Sequence, residues 1–206
     1  MKNTKTSIIA ECGIMVALAT VLSFIKVYEA PYGGSATLMS MLPIMLVSMR
    51  RGVKSGLAAG GVYSVIQLLF GINNVMWVPD VQGIILCILF DYIIPFTAIG
   101  LAGMFMNVKF TKNETANRVA SVLLGALVVM LIRYACHIFS GVVVWYALDL
   151  EWYADDPTHI VNLYGPWAFS AIYNGTFMIW EIVITAVGAV ACAFTPILTK
   201  VKKAKA

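Results

Sequence analysis

The chain has 206 residues, of which 61% are hydrophobic and only 12% charged. Soluble domains carry about 25% charged residues, so the composition excludes an ordinary soluble domain and points to a membrane protein. The net charge of +4 is no sign of nucleic-acid binding, because the basic residues flank apolar runs, and no nucleic-acid partner is expected.

A membrane-crossing helix needs roughly 20 apolar residues, and the apolar runs allow six spans in chain order. The first covers about 7–27. Lys2 and Lys5 ahead of an apolar run resemble a signal peptide. The run is long and no small-x-small cleavage site follows, so a retained span is expected. The stretch YEAPYGGSATL reads as a loop, broken by Pro31, Gly33 and Gly34. Span 2, about 38–49, is short and interrupted by Pro43, and a tight basic turn at Arg50-Arg51-Gly52 follows. Spans 3 to 6 cover about 54–70, 83–106, 118–146 and 166–198. The expected fold is an all-α membrane protein, a six-transmembrane-helix bundle forming a single integral domain over 1–206. Cys12, Cys87, Cys136 and Cys192 stand far apart in apolar segments, with neither metal nor disulfide spacing. No metal or cofactor is expected.

Positive charge sets the orientation. The termini, the Arg50 turn and the linker after Asn107 hold Lys2, Lys5, Arg50, Arg51, Lys54, Lys109, Lys112, Arg118, Lys200, Lys202, Lys203 and Lys205, which is 12 of the 14 basic residues. Of the other two, Lys26 lies at a span edge and Arg133 within a span. Both termini are therefore expected in the cytoplasm of a prokaryotic cell, with the chain a multi-pass protein of its plasma membrane. The outer loops carry Glu29, Asp80, Asp149, Glu151, Asp155 and Asp156, read as a solvated acidic face.

Arg133 and His137 share one face of span 5 at i, i+4 spacing, with Ser140, Gly141 and Trp145 near the same stripe. Charge at membrane depth is expensive and belongs against a partner or a wet cavity. At 1.5 Å per residue, Asp91 on span 4 lies roughly 12 Å in from the outside and Arg133 roughly 20 Å, with His137 one turn shallower and Asn174 of span 6 level with Asp91. These groups predict a polar pocket in the outer half of spans 4–6. Glu181 lies deeper and competes with Asp91 as the counter-ion of Arg133. Many aromatics at this level fit the interfacial belt; Trp145 is the first choice for stacking a flat ligand. Gly52, Gly56 and Gly60 in span 3 and Gly13 and Ala17 in span 1 form small-residue faces that let helices approach closely. For span 3 internal packing is expected; for span 1 an external partner is a live alternative.

The sequence has no Walker A motif, no HExxH and no Ser/His/Asp constellation, so an enzyme is not expected. Asp91, Arg133 and His137 can also be read as the relay of a stand-alone proton-dependent secondary transporter. No internal repeat of the kind many such transporters show is present.

The segments LFDYIIPFTAIGLAGMF, IRYACHIFSG and FSAIYNGTFM, on spans 4, 5 and 6, carry an acid-Tyr pair, a base-Tyr-x-x-His motif and an Asn-Gly pair in that order. Together with MLPIMLVSMRRGVKSGLAAG they resemble the thiamine-specific S component of energy-coupling factor (ECF) transporters, over nearly the whole chain except the loops 73–82 and 147–166. The resemblance implies a six-helix bundle with an outward pocket for one vitamin, assembled with a membrane scaffold subunit and two ATPases. It implies substrate binding by Asp91, Tyr92, Arg133, His137, Trp145, Phe169 and Asn174, and scaffold contact through Gly13 and Ala17. Some members have Glu and Lys where this chain has Asp91 and Arg133, and a tyrosine where Phe169 stands; Glu181 is outside the pattern. Thiamine suits these groups. Its thiazolium is a permanent cation for a carboxylate and an aromatic face, and its aminopyrimidine matches Asn174 and Asp91 with a flat face for Trp145. An S component for another flat vitamin is the nearest alternative.

Overall fold

The computed structural model describes residues 4–199. Lys2, Lys200, Lys202, Lys203 and Lys205 of the charge argument lie outside the described residues. Six principal helices form the bundle: α1 (Lys5–Ser23), α2 (Leu42–Arg51), α3 (Val53–Phe70), α4 (Val81–Phe105), α5 (Glu114–Trp152) and α6 (Pro166–Ala193). All but α2 are long and apolar enough to cross a membrane. At 10 residues, α2 is only about 15 Å long, half the bilayer core.

Every residue of α2 from Leu42 to Met49 is buried. It is the central post of the bundle rather than an ordinary span, and Ile44, Met45 and Val47 are fully enclosed with Ile99, Val122, Val129 and Met178. Pro43 does not interrupt this helix, as the sequence suggested. It occupies the first turn, where its missing N–H has no intrahelical partner to lose. Gly52 then takes φ 93°, a conformation that costs other residues steric strain, and so allows α3 to start at once.

Side-chain caps mark three other starts. Thr4 accepts from the Ser7 amide at 3.3 Å, Asp80 from Gly83 at 2.8 Å and Asn113 from Ala116 at 3.0 Å, each satisfying an N-terminal amide. The small face of α3 packs internally as expected. A Cβ at Gly60 would stand 2.9 Å from the carbonyl oxygens of Phe96 and Thr97 on α4, so the two backbones are in contact. Ser48 stitches α2 to the same helix, donating to the Gly100 carbonyl at 2.5 Å and accepting from the Gly103 amide at 2.9 Å.

The stretch read as a loop after span 1 is an antiparallel hairpin of β1 (Lys26–Glu29) and β2 (Ser35–Thr37), in register Lys26↔Thr37, Tyr28↔Ala36 and Glu29↔Ser35. Tyr173 of α6 donates its hydroxyl to the Pro31 carbonyl at its tip. The fifth span is longer than read. With 39 residues, α5 reaches about 58 Å against a hydrocarbon core of about 30 Å, so stretches expected as linker and outer loop continue it as helix. The sixth is shorter, ending at Ala193 before a separate helix at Pro196–Thr199.

Two wide, π-type turns interrupt these helices, at Ile88–Ile93 in α4 and Gly141–Trp145 in α5. Such turns insert one residue into the helical register and are frequent at functional sites. An ideal α-helix would leave Trp145 about 80° around the axis from His137. The wide turn rotates it back towards the face of His137.

Candidate functional site

A cavity of about 460 Å³ lies at one end of the bundle, among α3–α6 and beneath the hairpin. Asp91, Tyr92, Arg133, His137, Trp145, Phe169 and Asn174 all line it.

Asp91 and Tyr92 are carried by the wide turn of α4. Both Asp91 oxygens are engaged: Oδ2 accepts from Ser140 Oγ at 2.6 Å and Trp145 Nε1 at 2.9 Å, and Oδ1 lies 3.1 Å from His137 Nδ1. Arg133 Nε donates to His137 Nε2 at 3.2 Å. That bond makes Nε2 an acceptor, so the proton of a neutral imidazole sits on Nδ1 and points at Asp91. The three residues form one chain of hydrogen bonds. Tyr92 turns its hydroxyl to the Gly71 carbonyl at 3.2 Å.

Arg133 is 5% exposed. Its guanidinium stands 4.8 Å over the Phe96 ring, donates to Met41 Sδ at 3.3 Å and lies 3.8 Å from Glu181 Oε1. Glu181 is therefore its carboxylate partner, and Asp91 belongs to His137, which decides what the sequence left open. Glu181 has no exposed surface. It also accepts from the Thr37 amide at 2.5 Å and hydroxyl at 3.1 Å, tying the end of β2 to the cavity floor.

Asn174 donates through Nδ2 to the His137 and Ser170 carbonyls at 3.2 and 3.0 Å, which turns its Oδ1 acceptor away from these bonds. Gly141 lets α5 and α6 meet here: a Cβ at that position would collide with Ser170 and come within 3.3 Å of Asn174 Nδ2. Phe169 packs between Tyr146 and Tyr173, with centroids at 5.6 and 6.3 Å. Gly13 and Ala17 do not line the cavity and are exposed on α1.

The sequence reading passed over several lining groups. Tyr63 and Gln67 stand one turn apart on α3, and Tyr63 Oη and Gln67 Nε2 are buried without a hydrogen-bond partner among the described residues. Their i, i+4 spacing in an apolar run was a visible signal. Tyr173 also lines the cavity, and so do Lys26 and Glu29, paired at 2.5 Å. Asp149, assigned to the solvated outer face, is 4% exposed and lines the cavity as well. It was misassigned because α5 was ended too early. All four cysteines are free, and no group of potential metal ligands occurs among the described residues.

Comparison with known proteins places this architecture. The family model described as thiamine transporter protein (Thia_YuaJ) matches residues 9–201. The chain is 33% identical to the thiamine transporter ThiT of Bacillus subtilis strain 168, over 86% of this chain and 85% of that protein. It is 28% identical to ThiT of Lacticaseibacillus paracasei, over 87% and 83%. A solved structure of ThiT from Listeria monocytogenes superposes with a TM-score of 0.71 at 22% identity, covering 93% of this chain and 96% of that one, which is a likeness of fold. These relatives are transporters, not enzymes. The chain is a multi-pass membrane protein and belongs to the thiamine transporter protein family.

Proposed function

We propose that this chain is the thiamine-capturing S component of an ATP-driven ECF importer in a prokaryotic plasma membrane. It takes thiamine from outside into the cavity of α3–α6 and hands it on in a complex with a membrane scaffold subunit and two ATPases. The observation that carries this reading is one cavity lined by carboxylates, a chain of hydrogen-bonding groups and stackable aromatics, in a chain of the thiamine transporter family. In it, the aminopyrimidine lies against Trp145 within reach of Asn174 and Asp91, and the cationic ring sits among the remaining aromatics.

Six membrane-inserted helices with both termini in the cytoplasm fit the packing. Arg50 and Arg51 at the end of α2 both pair with Glu11 near the start of α1, and Arg50 also donates to the Ile197 carbonyl. Both ends of the described chain thus meet the basic turn at one end of the bundle, and the cavity opens at the other.

The test is titration of the purified protein with thiamine, followed by tryptophan fluorescence, with native mass spectrometry of the untreated protein to identify any co-purifying molecule. Saturable quenching and a co-purifying mass equal to thiamine are expected. A different flat vitamin in the spectrum, or no response to thiamine, overturns the reading. The Arg133–His137–Asp91 chain supports a second reading, a proton-coupled transporter acting alone; gradient-driven accumulation by the isolated chain separates the two.

A further inference from the structure

Among the carboxylates that line the cavity or stand directly behind it, one differs from the rest. Glu29 is paired with Lys26, Glu181 with Arg133, and Asp91 accepts from Ser140 and Trp145 and meets His137. The carboxylate of Asp149 has no hydrogen bond and no ion pair among the described residues, although the residue is 4% exposed. His159 is near enough to attract its charge, but its ring is stacked on Tyr153 at 3.7 Å, does not line the cavity and makes no hydrogen bond to the carboxylate. A buried carboxylate that accepts no hydrogen bond is costly, and Asp149 lines a cavity large enough for a ligand.

Its surroundings suit an organic cation. Asp149 follows Trp145 by four residues on α5, so the two side chains are neighbours on one face, and both line the cavity. Phe169 and Tyr173 of α6 line it too, with rings nearly parallel at 22° and 6.3 Å apart. A quaternary ring nitrogen donates no hydrogen bond and is recognised by charge and aromatic faces. Asp91 is a poor candidate for that role, because N–H and O–H donors of the protein already engage both its oxygens.

We propose that Asp149 is the residue that pairs with the permanent positive charge of the ligand, in a subsite walled by Phe169 and Tyr173 beside the Trp145 plate. This rests on the thiamine reading above and divides the work between two acids. Asp91 holds the Trp145 plate and the His137 chain in place, and Asp149 selects for charge.

The experiment crosses the charge of the protein with that of the ligand. Wild-type protein and Asp149→Asn are titrated with thiamine and with its neutral isostere, in which a thiophene replaces the thiazolium, and the thermal midpoint of each ligand-free protein is recorded. Asp149→Asn should weaken thiamine binding about 30-fold or more, the loss expected on breaking one buried charge pair, and change isostere binding less than about twofold. The ligand-free variant should melt no lower than wild type, because an unpaired buried charge has been removed. Equal losses for both ligands, no loss for thiamine, or a variant that is destabilised or does not fold would each assign Asp149 a different role and overturn the inference. A wild-type protein that binds neither ligand overturns the thiamine reading itself.

Discussion

The indole N–H of Trp145 donates to Oδ2 of Asp91 at 2.9 Å, so the aromatic plate of the cavity and its acid are one mechanical unit. Two wide helical turns, one on α4 and one on α5, present the pair to each other. Trp145→Phe keeps a ring and removes the donor, and Asp91→Asn keeps the shape and removes the charge. Each should weaken thiamine binding, Asp91→Asn by about 2 kcal/mol for a charge-assisted contact. The double variant should lose less than the sum of the two, because the residues share a bond. Additive losses in calorimetric titrations would show that they act independently.

Arg133 and Glu181 make a different prediction, about stability. With 5% and 0% exposure, the pair is enclosed, and removing one partner strands the other charge. Arg133→Met should destabilise the protein by about 3–5 kcal/mol. Glu181→Gln in the same chain should recover most of that, since the neutral amide keeps an oxygen to accept from Thr37. Thermal unfolding in detergent is the measurement, and no recovery in the double variant would mean that Arg133 acts through Phe96 and Met41 instead.

How far the sequence could be read depended on the kind of signal. Apolar runs and basic edges are strong, local patterns, and they located the five long apolar helices, the short α2 and the polar level of Asp91, Arg133, His137 and Asn174. The burial of α2 on every side was not legible, because a central helix in a membrane bundle has the same composition as a lipid-facing one. The hairpin was missed because β1 and β2 have only four and three residues, too few for a period-2 pattern beside Pro31 and Gly33. The wide turns leave no mark in composition, yet the one in α5 aligns Trp145 with His137. Asp149 went unrecognised because its burial depends on how far α5 continues past Tyr146.

Gly141 tests the closeness of α5 and α6 at the cavity. Gly141→Ala introduces a methyl group against Ser170 and Asn174, at a cost of about 1–3 kcal/mol for overpacking. The separation of the helices should also weaken thiamine binding. Ser170→Gly in the same chain opens space and should restore part of both. A Gly141→Ala protein with normal stability and affinity would mean that the contact relaxes freely.

Topology is tested by single cysteines at Asn113 and Asp155, in a background with the four native cysteines replaced. Asn113 caps the start of α5, and Asp155 follows its other end; the proposed orientation puts the first in the cytoplasm and the second outside. Membrane-impermeant reagent added to intact cells should label the Asp155 site and spare the Asn113 site. Labelling of Asn113→Cys from outside inverts the bundle.

The last prediction separates capture from transport. The 206 residues contain no Walker A motif, and accumulation against a gradient requires an energy source. A Cβ at Gly13 would meet nothing within 4 Å, and Ala17, one turn on, is also exposed. This part of α1 therefore has room for bulk within its own fold and offers a close-contact face to another membrane helix. Gly13→Trp and Ala17→Trp should leave thiamine affinity within about twofold of wild type, as expected for an exposed site outside the cavity lining. In cells that supply the scaffold and ATPases, the same variants should abolish uptake, because the indole blocks docking. Proteoliposomes holding the wild-type chain alone, with labelled thiamine outside and an imposed proton gradient, should bind thiamine without concentrating it. Gradient-driven accumulation there would replace the binding-subunit reading with a proton-coupled transporter built on the Arg133–His137–Asp91 chain.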